Sequence, residues 1–343
     1  MKLDQNLYCE ISLKRLEFNY KLLEKTVFNI FPVVKSYCYG FGFKNIIQTL
    51  YNLGARCFCV ADLREAMKLR KINSNIEIIV FNGFFQEKKN FYQKYKITPC
   101  IINEFQLEKI SNKISNKIQN KNIGYWIMVD TGMNRTGISM EQFENIKNNS
   151  NVLGVMSHFL NSQTTIPDET QRKKIDLLAS KYSGPVSFLK SAVVNLGKNY
   201  RDFARIGHSL YFSSYIGTVD IARVKATIIS INYLKSGESV GYDKSFTTEV
   251  DRKTALVNCG YSSGIVSNHP YFIFGDRKCQ VLGRVSMDFT IVDISEIENV
   301  SIGDEIYIYK DNFSEISEIT GCSMAYLSTA LNREKTKFIY KDF

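Results

Sequence analysis

From residue 31 to about 206 the chain alternates short apolar, β-branched runs with longer segments whose apolar residues recur at helical spacing. Eight of the runs read as strands: 31–35 (FPVVK), 57–60 (CFCV), 76–81 (IEIIVF), 98–102 (TPCII), 125–129 (YWIMV), 152–156 (VLGVM), 185–189 (PVSFL) and 202–206 (DFARI). Eight strands with intervening helices are what a (β/α)8 barrel of the TIM type requires. After about residue 219 the texture changes to closely spaced runs, RVKATIISINYL, TALVNCGY, YFIF, CQVLG, FTIVDI and DEIYIYK, with no long helical pattern until SEISEITGCSMAYLSTAL near the end. This predicts a smaller, mainly antiparallel β domain. The expected division is a barrel over 8–218 and a β domain over 219–343, although no Pro- or Gly-rich linker marks the change.

A length of 343 residues is ample for two such domains. With 44% hydrophobic and 23% charged residues, the composition argues for a chain folded throughout. Asp4 and Glu10 interrupt the start of the chain where a signal peptide needs an apolar core, and no run approaches the ~18 apolar residues of a membrane span. A cytoplasmic protein is expected. The eight cysteines form no C-x-x-C pair; Cys57 and Cys59 fall two apart on a predicted strand and share a face, so buried free thiols are expected rather than a metal site. The net charge of +10 raises nucleic acid as a partner, but the lysines are dispersed. Even the densest stretch, residues 111–122 (SNKISNKIQNKN), spaces Ile114 and Ile118 as one face of a solvated helix.

In a parallel barrel, chemistry gathers at the C-terminal ends of the strands. The first strand ends on Lys35, and a lysine closing an apolar strand is either a surface residue or a partly desolvated amine able to form a Schiff base. Strand five runs into residues 130–137 (DTGMNRTG), a turn built around Arg135. His158 ends strand six, as a satisfied histidine or a functional one. Ser191 follows strand seven, and Arg205, Ile206, Gly207 and His208 end strand eight, the two loops where barrels of this kind bind phosphate.

Together these segments resemble the alanine racemase family over nearly the whole chain. VVKSYCYGFG is similar to that family's VVKANAYGHG, and DTGMNRTG to its DTGMxRxG. ARIGHSLYF resembles VRPGIxLYG, SVGYDKSF resembles VSYGxxF, NCGYSSG resembles IGYADG, and GRVSMDFTIVD resembles GRVSMDxxxVD, all in the family's order. The resemblance implies a homodimeric, pyridoxal 5′-phosphate-dependent racemase of alanine, which in a bacterium supplies D-alanine for cell-wall peptide. Lys35 would hold the cofactor and act as base on one face of the substrate α-carbon, with Tyr242 from the other subunit as base on the opposite face. His158 and Arg205 would help Tyr242, whose phenol ordinarily has a pKa near ~10, to lose its proton. Arg205 would also bond the pyridine nitrogen, disfavouring ring protonation and the side reactions that follow it. Tyr39, Ser191, Gly207, His208 and Tyr326 would contact the phosphate. Arg135 would reach the phenolic oxygen and the substrate carboxylate, and Met287 and Asp288 from the partner would line the substrate site, with Tyr261 at its entrance.

The chain departs from the family pattern in places. Met128 stands where many members carry a carbamylated lysine that holds the arginine, and a thioether cannot form that bridge. Lys190 replaces an asparagine, His208 an aliphatic residue, Phe41 a histidine, and HFLNS the family's HFAxAD. These differences leave open another or broader substrate, such as serine. Two other readings share the barrel and its lysine. A non-catalytic pyridoxal-phosphate homeostasis protein would lack the β domain with Tyr242, and a related decarboxylase would use an acidic group where Arg205 stands.

Overall fold

The computed structural model describes residues 7–27, 29–111, 123–160, 168–191 and 203–343. The lysine-rich stretch 111–122 lies outside them apart from Ser111, as do the last two residues of HFLNS. The chain forms two compact units, one of Glu17–Cys38 and Phe43–Leu210, the other of Met1–Leu16, Tyr39–Gly42 and Tyr211–Phe343.

After β1 (Leu7–Ile11), which belongs to the other unit, the first unit is built on eight strands. They are β2 (Asn29–Pro32), β3 (Cys57–Val60), β4 (Glu77–Val80), β5 (Ile97–Ile101), β6 (Tyr125–Met128), β7 (Val152–Met156), β8 (Val186–Ser187) and β9 (Phe203–Ile206). Strands β3 to β8 pair in parallel in chain order, and β2 pairs with β9 in parallel. Single parallel bridges, Val33 to Cys59 and Lys190 to Arg205, join the two sheets at both edges and close the ring. These are the eight strands expected, in a closed barrel without free edges. Inside it Phe31 stacks on Phe203 with ring centroids 4.3 Å apart, and both meet the edge of Trp126 from across the ring. Because side chains alternate along a strand, Arg205, two residues beyond Phe203, also faces the interior.

In the second unit the 13-residue β10 (Ala222–Leu234) is the spine. Around it lie β11 (Ser239–Val240), β12 (Phe246–Thr247), β13 (Arg252–Val257), β14 (Tyr271–Phe274), β15 (Arg277–Gln280), β16 (Thr290–Asp293), β17 (Glu305–Lys310) and β18 (Thr336–Tyr340). The main sheet runs β15-β14-β17-β10-β1-β18, with β13 linking β10 to β16 and β11 paired with β12. It is antiparallel except where β1 lies parallel to β18. The terminal apolar stretch is two helices, Phe313–Thr320 and Met324–Thr329, because Gly321 takes a left-handed conformation (φ 72°) that ends the first.

The division differs from the expected 8–218 and 219–343 at both ends. Residues 7–11 form an inner strand of the second unit, with Leu7, Cys9 and Ile11 fully buried. At the other boundary the second unit begins at Tyr211, whose ring packs 4.9 Å from Tyr39, while Phe212 packs against Phe41 and Phe313. Gly40 must be glycine here: its φ is +92° and a Cβ would sit 2.4 Å from the Ser328 carbonyl oxygen. All eight cysteines are free thiols, seven of them buried. Among the described residues no helix is long and apolar enough to cross a membrane, and no group of three or more His, Cys, Asp or Glu side chains is placed to hold a metal ion.

Glu10 fastens β1 into that sheet. Its carboxylate is 1% exposed and lies 2.7 Å from the ammonium groups of both Lys225 on β10 and Lys341 just beyond β18. Desolvation pushes its pKa up, but the hydrogen bonds and charges of the two lysines outweigh that and hold it below the ordinary carboxylate value. A lowered folded-state pKa means that the stabilisation is complete above the ordinary value and is lost as pH falls through the folded one. Glu10→Ala leaves the mostly buried Lys225 with Glu305 as its remaining partner and Lys341 half exposed, and should cost about 2 kcal/mol of stability at neutral pH. Urea unfolding checks this; a loss under about 0.5 kcal/mol, the range of an ordinary surface change, would show that β1 is held by its backbone and apolar contacts alone.

Candidate active site

The strand that leads to Lys35 ends earlier than its apolar run suggests. The Val33 N–H donates to the Ile206 carbonyl at 2.7 Å and the Val34 N–H to that of Cys59 at 2.8 Å, which carries the chain to the barrel rim. There Ser36, Tyr37, Cys38 and Tyr39 all adopt left-handed backbone conformations, with φ between 52° and 56°. Each such non-glycine residue costs roughly 1–2 kcal/mol, so the turn persists only because its surroundings hold it. The Cys38 N–H donates to the Val34 carbonyl at 2.9 Å, and the Ser36 N–H to Glu65 at 2.5 Å. Tyr37 stacks on Phe43 and lies under the Lys68 ammonium, which also bonds its hydroxyl. Glu65 is fixed in turn by the Ala61 N–H at 2.8 Å, in a helix whose start is capped by Asp62.

Lys35, at the base of this turn, is accessible to water yet partly desolvated. Its pKa is lowered, first by burial and then by the charge of Arg135, with Glu65 opposing. That is the direction a Schiff-base amine needs.

Arg205 is 5% exposed, with no carboxylate beside it among the described residues. One terminal nitrogen donates to the Ser187 carbonyl and, at 2.8 Å, to the Ser187 hydroxyl; the other donates to the Ser157 carbonyl at 2.5 Å. Neutral hydroxyls carry the network on. Ser187 donates to the Phe203 carbonyl, and Ser157 donates to that of Val129 while bonding the Thr131 hydroxyl at 2.7 Å. Thr131 accepts from Gln171, which also bonds the His158 carbonyl and the Leu160 N–H. No hydrogen bond joins the His158 ring to Arg205. Burial, then the charges of Arg205, Lys190, Arg135 and Lys35, push the His158 pKa down to about 2, so the ring is neutral.

The loops after β8 and β9 meet as the positions of Ser191 and Gly207 suggest: the buried Ser191 hydroxyl accepts from the Ser209 N–H at 3.2 Å. The hydroxyl of Ser209 is itself buried and meets no partner among the described residues. Desolvation lowers the pKa of His208, in the same turn, to about 4, so it too is neutral. Arg135 projects from a turn in which Asp130 accepts the N–H groups of Gly132 and Asn134 at 2.8 and 3.1 Å. Among the described residues the Arg135 guanidinium has no carboxylate partner, and Met128 is buried with nothing to offer it.

In the second unit the Tyr261 N–H donates to the Ser286 carbonyl at 3.0 Å and the Ser262 N–H to the Met287 carbonyl at 2.9 Å, which sets Tyr261 beside Met287 and Asp288. Gly260 allows this approach, since a Cβ there would lie 2.2 Å from the Ser286 oxygen. Asp288 accepts from the Ser262 hydroxyl and the Lys335 ammonium. Tyr242 is 70% exposed on a separate turn in which Asp243 and Lys244 have positive φ. Tyr39 is half-buried, and burial pushes its pKa up to about 12, while Tyr326 is exposed on the helix Met324–Thr329.

The first unit thus brings together Lys35, Arg135, His158, Ser191, Arg205, Gly207 and His208 at one end of a barrel, and the second brings together Tyr261, Met287 and Asp288. Four contributors escaped the sequence reading: Glu65, Gln171, Ser187 and Ser209. Only Glu65 had a local signal, its place in the first turn after the capping Asp62. A desolvated amine, cations without carboxylates and an orphaned buried hydroxyl suit an aldehyde cofactor bearing an anionic group.

Comparisons with known proteins agree with these features. The family model described as the alanine racemase N-terminal domain matches residues 11–215, and that of the alanine racemase C-terminal domain matches residues 221–338. An alanine racemase of Aquifex aeolicus is 27% identical over 328 residues, 91% of this chain and 93% of that protein. One of Mannheimia succiniciproducens is 28% identical, covering 96% of this chain and 98% of its own. The crystal structure of the Bartonella henselae alanine racemase, which carries covalently bound pyridoxal phosphate, superposes with a TM-score of 0.88 at 25% identity, covering 98% of this chain and 99% of that one.

Because Glu65 raises the pKa of Lys35, Glu65→Gln should lower it further and so extend the reactivity of the Lys35 amine to lower pH. The rate of modification of Lys35 by an amine-directed reagent, followed against pH by mass spectrometry in the cofactor-free protein, measures this. A curve shifted to higher pH would mean that Glu65 acts on Lys35 only through the shape of the turn.

Proposed function

The chain belongs to the alanine racemase family, and on that footing we propose that it interconverts L- and D-alanine with pyridoxal 5′-phosphate held on Lys35. The observation that carries the reading is the partly desolvated Lys35 amine on its strained turn, in the same barrel rim as the buried Arg205 cation. Pyridoxal phosphate, when bound, supplies the electron sink that lets the substrate α-proton leave. Lys35 Nζ, free once the substrate amine has taken its place, would take or return that proton on one face. Racemisation needs a second base on the other face, and Tyr242 of the partner subunit provides it, in line with a tyrosine that is 70% exposed on its own turn.

Arg205, fixed by Ser187 and Ser157, presents a cation to the pyridine nitrogen and keeps that nitrogen from gaining a proton. Neutral His158 accepts a hydrogen bond from the tyrosine base instead of adding charge. Ser191, Gly207, His208, Tyr39 and Tyr326 hold the phosphate, joined by the buried hydroxyl of Ser209. Arg135 orients the substrate carboxylate, with Met287, Asp288 and Tyr261 of the partner subunit forming the wall and entrance of the substrate site. The enzyme works as a homodimer in the cytoplasm, and in a bacterium its D-alanine goes to peptidoglycan. The C-terminal domain over residues 221–338 weighs against a non-catalytic barrel that stores the cofactor.

The purified protein with pyridoxal phosphate should exchange the α-proton of alanine in deuterated water and show a visible absorbance band that Lys35→Ala removes. Tyr242→Phe should keep the band and lose racemisation by about 100-fold or more. Full activity in that variant, or a monomer in sedimentation equilibrium under assay conditions, would remove Tyr242 from the mechanism.

A further inference from the structure

Lys190 stands in a setting that the roles assigned so far leave unused. Its backbone bridges to Arg205, closing the barrel, and it directly precedes the phosphate-loop residue Ser191. Its half-buried ammonium donates to the Phe159 carbonyl at 2.7 Å, one residue past His158, and meets no carboxylate among the described residues. Arg135 and Arg205 share that lack. The carboxylates of the neighbouring turns, Asp130 and Glu65, accept backbone N–H groups instead. Three cations are therefore gathered at one rim with no carboxylate beside them among the described residues, and Lys190 and Arg205 bond only neutral oxygens. Burial, and then the charges of Arg135 and Arg205, bring the Lys190 pKa down to about 8, which places all three within electrostatic reach of one another.

A cluster of like charges at a low-dielectric rim is costly unless an anion completes it. We infer that Lys190 is an oxyanion-binding residue of this rim, acting within the positive field of Arg135 and Arg205 on either the phosphate of the cofactor or the carboxylate of the amino acid. The inference rests on the function proposed above. A single carbonyl bond leaves two of the ammonium's three protons for such a ligand. An uncharged amide at position 190 could orient a ligand but could not supply that charge.

The test uses the full chain as wild type, Lys190→Gln and Lys190→Arg. In one arm the cofactor-free proteins are titrated with pyridoxal phosphate and with pyridoxal, following absorbance. In the other, the cofactor-loaded proteins are assayed for the KM of alanine and for inhibition by acetate. Loss of one charge-assisted contact should weaken binding roughly tenfold in Lys190→Gln, with Lys190→Arg staying within about threefold of wild type. A loss confined to pyridoxal phosphate, with pyridoxal unchanged, assigns the oxyanion to the phosphate. A loss confined to acetate and the KM assigns it to the substrate carboxylate. Both arms within twofold of wild type, in a variant with an unchanged melting curve, would overturn the inference while leaving the proposed function standing. Failure of the wild type to bind pyridoxal phosphate would instead overturn the proposed function. If Lys190→Gln does not fold, Lys190→Met takes its place in the same comparison.

Discussion

The barrel rim is organised around one constraint, a guanidinium taken out of water and held only by neutral oxygens. Arg205 lies inside the ring of strands just past the packed rings of Phe31, Trp126 and Phe203, where an unsatisfied cation would be prohibitive. Three acceptors from Ser187 and Ser157 satisfy it, and because these residues end neighbouring strands, the same bonds fix how β7, β8 and β9 terminate. Keeping the acceptors neutral matters. A carboxylate would cancel the positive potential, whereas carbonyls and hydroxyls bind the group and leave its charge to act on whatever occupies the rim.

Burial first, and then the uncancelled positive charge of the rim, sets the titration behaviour of the neighbours. His158 is neutral because it is buried and faces four cations, and Lys35 is pushed toward its neutral form by burial and Arg135. Glu65 is the opposing group. By accepting the Ser36 and Ala61 N–H groups it stabilises a left-handed turn that the sequence Ser-Tyr-Cys-Tyr would not favour on its own, and it moderates the depression of the Lys35 pKa. Backbone strain and electrostatics are thus handled by one carboxylate.

Much of this was legible in the chain before its fold. The eight barrel strands declare themselves because each is a short apolar run between helical segments, and the six motif segments point to the family directly. What stayed hidden has a physical reason in each case. Strand β1 reads poorly because Glu10 sits in its middle, and only the distant Lys225 and Lys341 make a buried carboxylate tolerable there. The strand expected to reach Lys35 ends at Pro32, and no propensity rule anticipates the four consecutive left-handed residues that follow Lys35. Ser187, Ser209 and Gln171 are ordinary polar residues whose roles arise from contacts 11 to 40 positions apart, including Ser187 to Phe203 and Gln171 to Thr131. The spacing along the chain carries no trace of such pairs.

Two of the departures from the family pattern act in one direction. A buried thioether at Met128 withholds an anion from Arg135, and Lys190 adds a cation nearby, so the rim is more positive than the resemblance alone would imply. Arg135 nevertheless keeps a defined backbone, because Asp130 closes its turn through two N–H groups and the Val129–Ile138 bridge anchors the turn's ends. Its guanidinium is positioned from below by the turn instead of from the side by a partner. If Arg135 binds the substrate carboxylate as proposed, such an arrangement would leave it free to follow that anion and would spread the burden of orienting the substrate over the combined field of Arg135, Lys190 and Arg205.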